Sequence, residues 1–195
     1  MIPALFLVIA AVLYRLASAL VVQNGGPGWL SNFAPLAAIA LCGAIYFPRK
    51  YKFTLPFAAL LVSDLVLDFY YGASLADPLI LCRYVAFALV GLLGLAISRR
   101  ASLKALLPAS LAGSTIFYGI TNFFSWLTDP GYVKNFAGLI QSLTGGLPQY
   151  GAPTWMFFRN SLLSDLFFTL LFFACMHWSV ASARQPAAVS RPLPN

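Results

Sequence analysis

Six apolar stretches joined by polar connections dominate this chain, at residues 2–22, 33–47, 53–71, 78–98, 105–127 and 154–181. A helix crossing the hydrocarbon core of a bilayer needs about 20 such residues, and helices or closed barrels alone satisfy every backbone polar group in lipid. The pattern predicts an all-α membrane protein with six transmembrane helices in a single domain, residues 1–183. The second helix is the shortest, with Asn32 as its cap, Pro35 in its first turn and Pro48 at its end. A water-soluble fold is excluded by composition. Of the 195 residues, 61% are hydrophobic and 9% charged, with a mean hydropathy of +0.83, whereas a soluble domain carries about 25% charged residues.

The net charge of +7 comes from 12 Lys and Arg spread along the chain. No dense basic stripe forms, which excludes nucleic acid as a partner. The charges report orientation instead, because positive residues are retained on the cytoplasmic side. Arg49, Lys50 and Lys52 follow the second segment, Arg99, Arg100 and Lys104 follow the fourth, and Arg184 and Arg191 lie in the tail. The opposite side has Lys134. Both termini are therefore predicted to be cytoplasmic in a bacterial inner membrane, with the Gly/Pro-rich connections 22–31 and 128–153 facing out. The second of these is predicted to hold a short helix near 133–143, and the tail 184–195 to be disordered. Ala17-Ser18-Ala19 has the form of a signal-peptidase site, but no basic residue precedes the apolar stretch before it, so the first segment is expected to be retained.

Three arginines fall inside the apolar stretches: Arg15, Arg83 and Arg159. Each costs several kcal/mol in lipid unless paired, hydrated or near the surface. With alternating helix directions all three reach the outer leaflet. Asp64, Asp68 and Asp165 lie slightly deeper, and ion pairing between the two sets would neutralise both. Asp64 and Asp165 are assigned to a structural polar network that orients the bundle. Asp68, Arg83 and Arg159, nearest the mouth, are assigned to ligand contact together with Arg15, Asn32, Asn122 and Tyr84 in the same outer half. A polar ring beneath two loops describes a binding cavity. Trp29, Trp126, Tyr132, Tyr150 and Trp155 suit an interfacial aromatic belt.

No nucleophile elbow, phosphate-binding loop, zincin motif or dinucleotide fingerprint occurs. His177 falls near the cytoplasmic end of the last segment, too far from the outer acids to join them in a triad or metal site. Cys42, Cys82 and Cys175 lack metal-finger spacing and lie in apolar runs. Cys82 precedes Arg83 in the outer turns of the fourth segment, where it either packs as a small apolar side chain or offers a soft sulfur donor to a transition metal. Leu61-Val62-Ser63-Asp64-Leu65 echoes Leu162-Leu163-Ser164-Asp165-Leu166, a weak suggestion of the inverted halves used by many transporters.

Arg15-Leu16, Asn32-Phe33-Ala34-Pro35-Leu36, Leu61-Val62-Ser63-Asp64-Leu65, Thr121-Asn122-Phe123 and Asn160-Ser161-Leu162-Leu163-Ser164-Asp165-Leu166 resemble a bacterial membrane protein family that is similar to the substrate-binding S-components of energy-coupling factor (ECF) vitamin transporters. The resemblance implies an S-component-like six-helix bundle that binds and takes up a vitamin-like solute. Its solitary cobalamin-transporting members imply a corrinoid, cobalamin, as ligand, with Cys82 as cobalt ligand and thiolate-mediated removal of cyanide from cyanocobalamin as an accompanying reaction. The first helix departs from the Ala-xxx-Ala docking pattern of these proteins, since Tyr14 follows Ala10 and Arg15 follows Ala11; docking on a shared ECF module is therefore not expected. The alternatives are an S-component-like transporter of a different micronutrient, and a membrane enzyme or processing factor acting on an outer-leaflet substrate.

Overall fold

The structure, a computed structural model, describes residues 2–30, 32–72 and 78–183. The tail 184–195, predicted from sequence to be disordered, lies outside the described residues. Within them the chain is all-helical: α1 (Ile2–Gln23), α2 (Leu36–Tyr46), α3 (Thr54–Tyr71), α4 (Pro78–Ile97), α5 (Leu103–Thr128), α6 (Phe136–Leu143) and α7 (Thr154–Ala183), with single 3-10 turns at Gly28–Leu30, Ser98–Arg100 and Pro148–Tyr150.

Five helices, α1, α3, α4, α5 and α7, are long and apolar enough to cross a bilayer. The second segment, expected to be the shortest, forms α2, whose 11 residues rise about 17 Å against a core of about 30 Å. Two prolines set its limits. A residue before proline is pushed out of the helical region, so Pro35 excludes Ala34 and the helix starts at Leu36. Phe47, before Pro48, is extended with ψ 151° and ends it. Asn32 does not cap this helix; it sits four residues before Leu36 in a left-handed conformation with φ 56°.

Every residue of α2 from Ala37 to Ala44 is buried, because α1, α3, α4, α5 and α7 all pack on it. A helix apolar on all sides belongs in the middle of a bundle. Small residues permit the approach: a Cβ on Gly94 of α4 would lie 2.5 Å from the Leu41 carbonyl oxygen, and one on Gly43 would lie 2.3 Å from the Pro56 ring of α3. The long helices turn large side chains outward, among them Phe6, Ile9 and Leu13 of α1, Val62 and Phe69 of α3, and Leu163 and Phe167 of α7. In water such a surface would be an interaction patch; on apolar helices of this length it suits contact with lipid.

The helices alternate in direction. The C-terminal turns of α1, α3 and α5 and the N-terminal turns of α2, α4 and α7 meet at one end of the bundle, where they line connected cavities. The helix α6 packs against α5 and α7 at this end. It is capped by Asn135, whose side chain accepts the Gly138 N–H, and Tyr118 of α5 donates its hydroxyl to the Leu143 carbonyl at 2.8 Å.

Candidate functional site

One carboxylate binds three helices together. Arg15 of α1 donates through Nη2 to Asp64 Oδ1 of α3 at 2.7 Å, and Arg83 of α4 donates through Nη1 to the same oxygen at 2.9 Å. The other terminal nitrogen of Arg15 donates to Ser63 Oγ. Arg15 and Asp64 are nearly inaccessible, whereas the Arg83 side chain keeps 24% of its surface exposed. Two guanidinium groups on one carboxylate leave a local positive charge, and burial of such a cluster is tolerated only because each cation has a partner.

Asp68 lies one turn further along α3. It is 8% exposed, and its Oδ2 has no hydrogen-bond partner among the described residues. It lines a cavity of about 280 Å³ together with Arg15, Arg83, Ser18, Gln23 and Tyr71, closed on one side by the segment Asn32 to Ala34.

A second cavity of about 200 Å³ shares Asn32 and Ala34 with the first and is walled by α5 and α7, with Ser114, Tyr118, Asn122, Ser161 and Asp165 contributing polar atoms. Asp165 stands there in a role that sequence analysis did not assign. Its Oδ1 accepts the Ala38 N–H at 2.9 Å and its Oδ2 accepts the Ser114 hydroxyl at 2.8 Å. The first N–H groups of a helix have no partner within it, and Pro35 at the N-cap position provides no side-chain cap. Asp165 supplies the missing acceptor from α7, where its negative charge also faces the positive end of the α2 dipole. Below it, Thr169 of α7 donates to Ser110 of α5 at 3.2 Å. A third cavity, about 390 Å³, shares Asn122, Ser125, Thr154 and Phe157 with the second and extends beneath the loop carrying Asp129, Tyr132 and Tyr150.

That loop is fixed by its own polar contacts. Asp129 accepts the Gly131 N–H at 2.8 Å and the Tyr150 hydroxyl at 2.7 Å. Lys134 donates to the carbonyls of Trp126 and Asp129, and the Trp126 indole donates to the Val133 carbonyl at 3.0 Å. The Gly131 and Tyr150 donors, with Lys134 nearby, hold the Asp129 carboxyl below its usual range, and the same Asp129 contact raises the Tyr150 phenol.

The structure brings together Arg15, Arg83, Asp64 and Asp68, and places Asn32 and Asn122 on cavity walls. It does not bring Arg159 to them. Arg159 is exposed, donating to the neighbouring Asn160 side chain at 3.0 Å and standing 5.5 Å from the centre of the Trp155 ring. The buried positions of α7, namely Asn160, Ser164, Asp165, Phe168, Thr169 and Phe172, follow the helical period, and Arg159 falls 100° off that face. Cys82 lines none of the three cavities. It is buried, and its Sγ lies 3.6 Å from the Ile120 carbonyl of α5, as a weak donor. Cys82, Ala86, Val90 and Gly94 form the buried face of α4, and Arg83 is rotated from it toward α3. Tyr84 packs its ring on Phe57, and its hydroxyl is buried without a partner among the described residues. The two Ser-Asp pairs noted in sequence are both buried, but Asp64 pairs with arginines and Asp165 with a helix terminus. His177, exposed on the last turns of α7, stacks on Phe173, and among the described residues no three His, Cys or Asp side chains converge as a metal site.

Apolar helices around a buried short helix, five of them long enough to cross a bilayer, suit a multi-pass helical membrane protein with polar cavities at one end. The chain belongs to a family of unknown function, DUF6580, whose model matches residues 1–188. Comparison with curated proteins and with solved structures gives no match.

Proposed function

We propose that this chain is an integral membrane solute-binding protein that captures a small, polar, vitamin-like solute at the cavity end of its bundle for uptake. The observation supporting this reading is the run of three cavities with shared walls, from Asp68 and Arg83 through Asn32 and Asp165 to Tyr132 and Tyr150, in a body otherwise faced with apolar side chains. Ligand sites between helices have this character: concave, partly apolar, with a few converging polar groups. The orientation follows from the basic loops. The cavity end faces outward from a bacterial cytoplasmic membrane, α2 completes a sixth crossing with its flanking segments, and both termini are cytoplasmic.

A corrinoid is the largest ligand within this proposal and makes the strongest demand on the site. Cobalamin exceeds any one of the three cavities, so binding requires them to merge, and cobalt ligation requires Cys82 to rotate away from Ile120. A smaller micronutrient requires neither change. The departure of α1 from the small-residue docking pattern favours a solitary mode of action over a shared ECF module.

Thermal unfolding of the purified protein with cobalamin, other vitamins and amino acids tests the proposal. A saturable rise in melting temperature with one solute class is expected, and a corrinoid would also leave a visible absorption spectrum on the protein. A solute recovered chemically altered would point to the membrane-enzyme alternative, and an unchanged melting temperature with every class would contradict solute binding.

A further inference from the structure

We propose that the cavity around Asp68 recognises a zwitterion, with a protonated amine against the Asp68 carboxylate and an acidic group against Arg83. The proposal rests on the solute-binding reading above and specifies its substrate class. Asp68 is 8% exposed, lines the cavity of about 280 Å³, and has Oδ2 without a hydrogen-bond partner among the described residues. A buried carboxylate oxygen left unpaired is unfavourable, and a charged donor is its strongest complement. In the same cavity Arg83 commits Nη1 to Asp64 and presents a side chain that is 24% exposed. A guanidinium has five N–H donors in a fixed fork, suited to a second carboxylate.

The charges select among ligands. Arg15, Arg83, Asp64 and Asp68 sum to zero, so a ligand of zero net charge leaves this region neutral in a low-dielectric setting. A bare metal ion is disfavoured by the two guanidinium groups and by the want of converging acidic ligands among the described residues. A simple anion leaves Asp68 unpaired. The two poles lie about one helical turn apart: Asp64, which holds Arg83, and Asp68 are i and i+4 on α3, a spacing of about 5–6 Å between Cβ atoms. An amine and an acid separated by one to a few carbons span that interval. The cavity has the liquid volume of roughly nine waters, enough for an amino acid of modest size.

The test is a thermal-shift and calorimetric titration of the full chain with glycine, β-alanine, γ-aminobutyrate and δ-aminovalerate, each beside its methyl ester and its N-acetyl derivative. At least one free zwitterion is expected to bind, with both blocked forms weaker by about tenfold or more, the loss of one charge-assisted contact. Asp68→Asn should weaken the best ligand by about tenfold or more. Asp68→Glu, whose carboxylate reaches one carbon further, should bind best a ligand one carbon shorter than wild type does; this second variant decides the matter if Asp68→Asn does not fold. Equal binding of blocked and free forms, undiminished binding by Asp68→Asn, an unchanged length preference in Asp68→Glu, or no binding of the series would overturn the proposal. If the series fails while cobalamin or another solute binds, solute binding stands and zwitterion recognition falls; if nothing binds, both fall.

Discussion

Asp165 on α7 accepts the backbone N–H of Ala38 at 2.9 Å, across 127 positions of sequence. The contact lets a short helix begin inside the bundle, where the buried Ala38 N–H has no partner within the helix. Asp165→Ala would strand the Ala38 amide at a cost of about 1–3 kcal/mol, while the Ser114 hydroxyl keeps the Ser110 carbonyl as an acceptor. Asp165→Asn keeps an acceptor for Ala38 and should be milder. Unfolding in detergent is expected to rank wild type above Asp165→Asn and Asp165→Ala last. Asp68→Ala should show the reverse profile, with greater loss of binding than of stability. Equal stability of Asp165→Ala and wild type would contradict the capping role.

Asp64 is shared by Arg15 and Arg83 through one oxygen. Removing it leaves a buried cation, a loss of about 3–5 kcal/mol. The double variant Arg15→Met with Asp64→Leu should be more stable than Asp64→Leu alone, because it removes the stranded charge. A double-mutant cycle measures this coupling directly, and simple additivity would refute it.

The positions of the apolar helices are legible in the sequence because lipid imposes a length and composition on any crossing segment. The short α6 is legible too, as a stretch free of Pro within a Gly/Pro-rich connection, whereas its cap, Asn135, is seen in the structure. The limits of α2 were only partly so. Pro48 indicates its end, but Asn32 was an attractive cap by residue type, and the actual acceptor, Asp165, is remote in sequence. Helix rotation was the other hidden quantity. Arg83 and Cys82 are adjacent, yet 100° of rotation sends one to Asp64 and the other to Ile120. Arg159 is likewise adjacent to buried Asn160 but exposed beside Trp155. Depth in a membrane can be read from segment position; facing cannot be read from depth.

Close packing of α4 on α2 predicts unequal glycine tolerances. A Cβ at Gly94 would meet the Leu41 carbonyl oxygen at 2.5 Å, whereas one at Gly119 of α5 would meet nothing within 4 Å. Gly94→Ala is expected to cost about 1–3 kcal/mol through forced separation. Gly119→Ala should be neutral or stabilising by up to about 1 kcal/mol through helix propensity. Thermal unfolding of the two variants checks the contrast, and equal effects would contradict the packing.

The Asp129 loop should weaken only in acid. The Gly131 and Tyr150 donors and nearby Lys134 depress its carboxyl in the folded state, so its contribution is fully present above the unfolded value of about 3.9 and is lost as pH falls through the folded value. Following the Gly131 amide by NMR should give a midpoint below about 3.9, with Asp129→Asn removing the step. A midpoint at or above that value would contradict the contacts.

Solute capture at the cavity end is tested most directly by blocking the junction between cavities. Ala34 lines both the Asp68 and the Asp165 cavities, so Ala34→Trp should fill their shared wall. Wild type and Ala34→Trp, each shown to be folded, are incubated with a soluble metabolite extract and washed, and the released small molecules are identified by mass spectrometry. At least one polar solute retained at about one per chain by wild type and lost from Ala34→Trp is the predicted result; the same retained solutes in the same amounts on both proteins would contradict binding at this site.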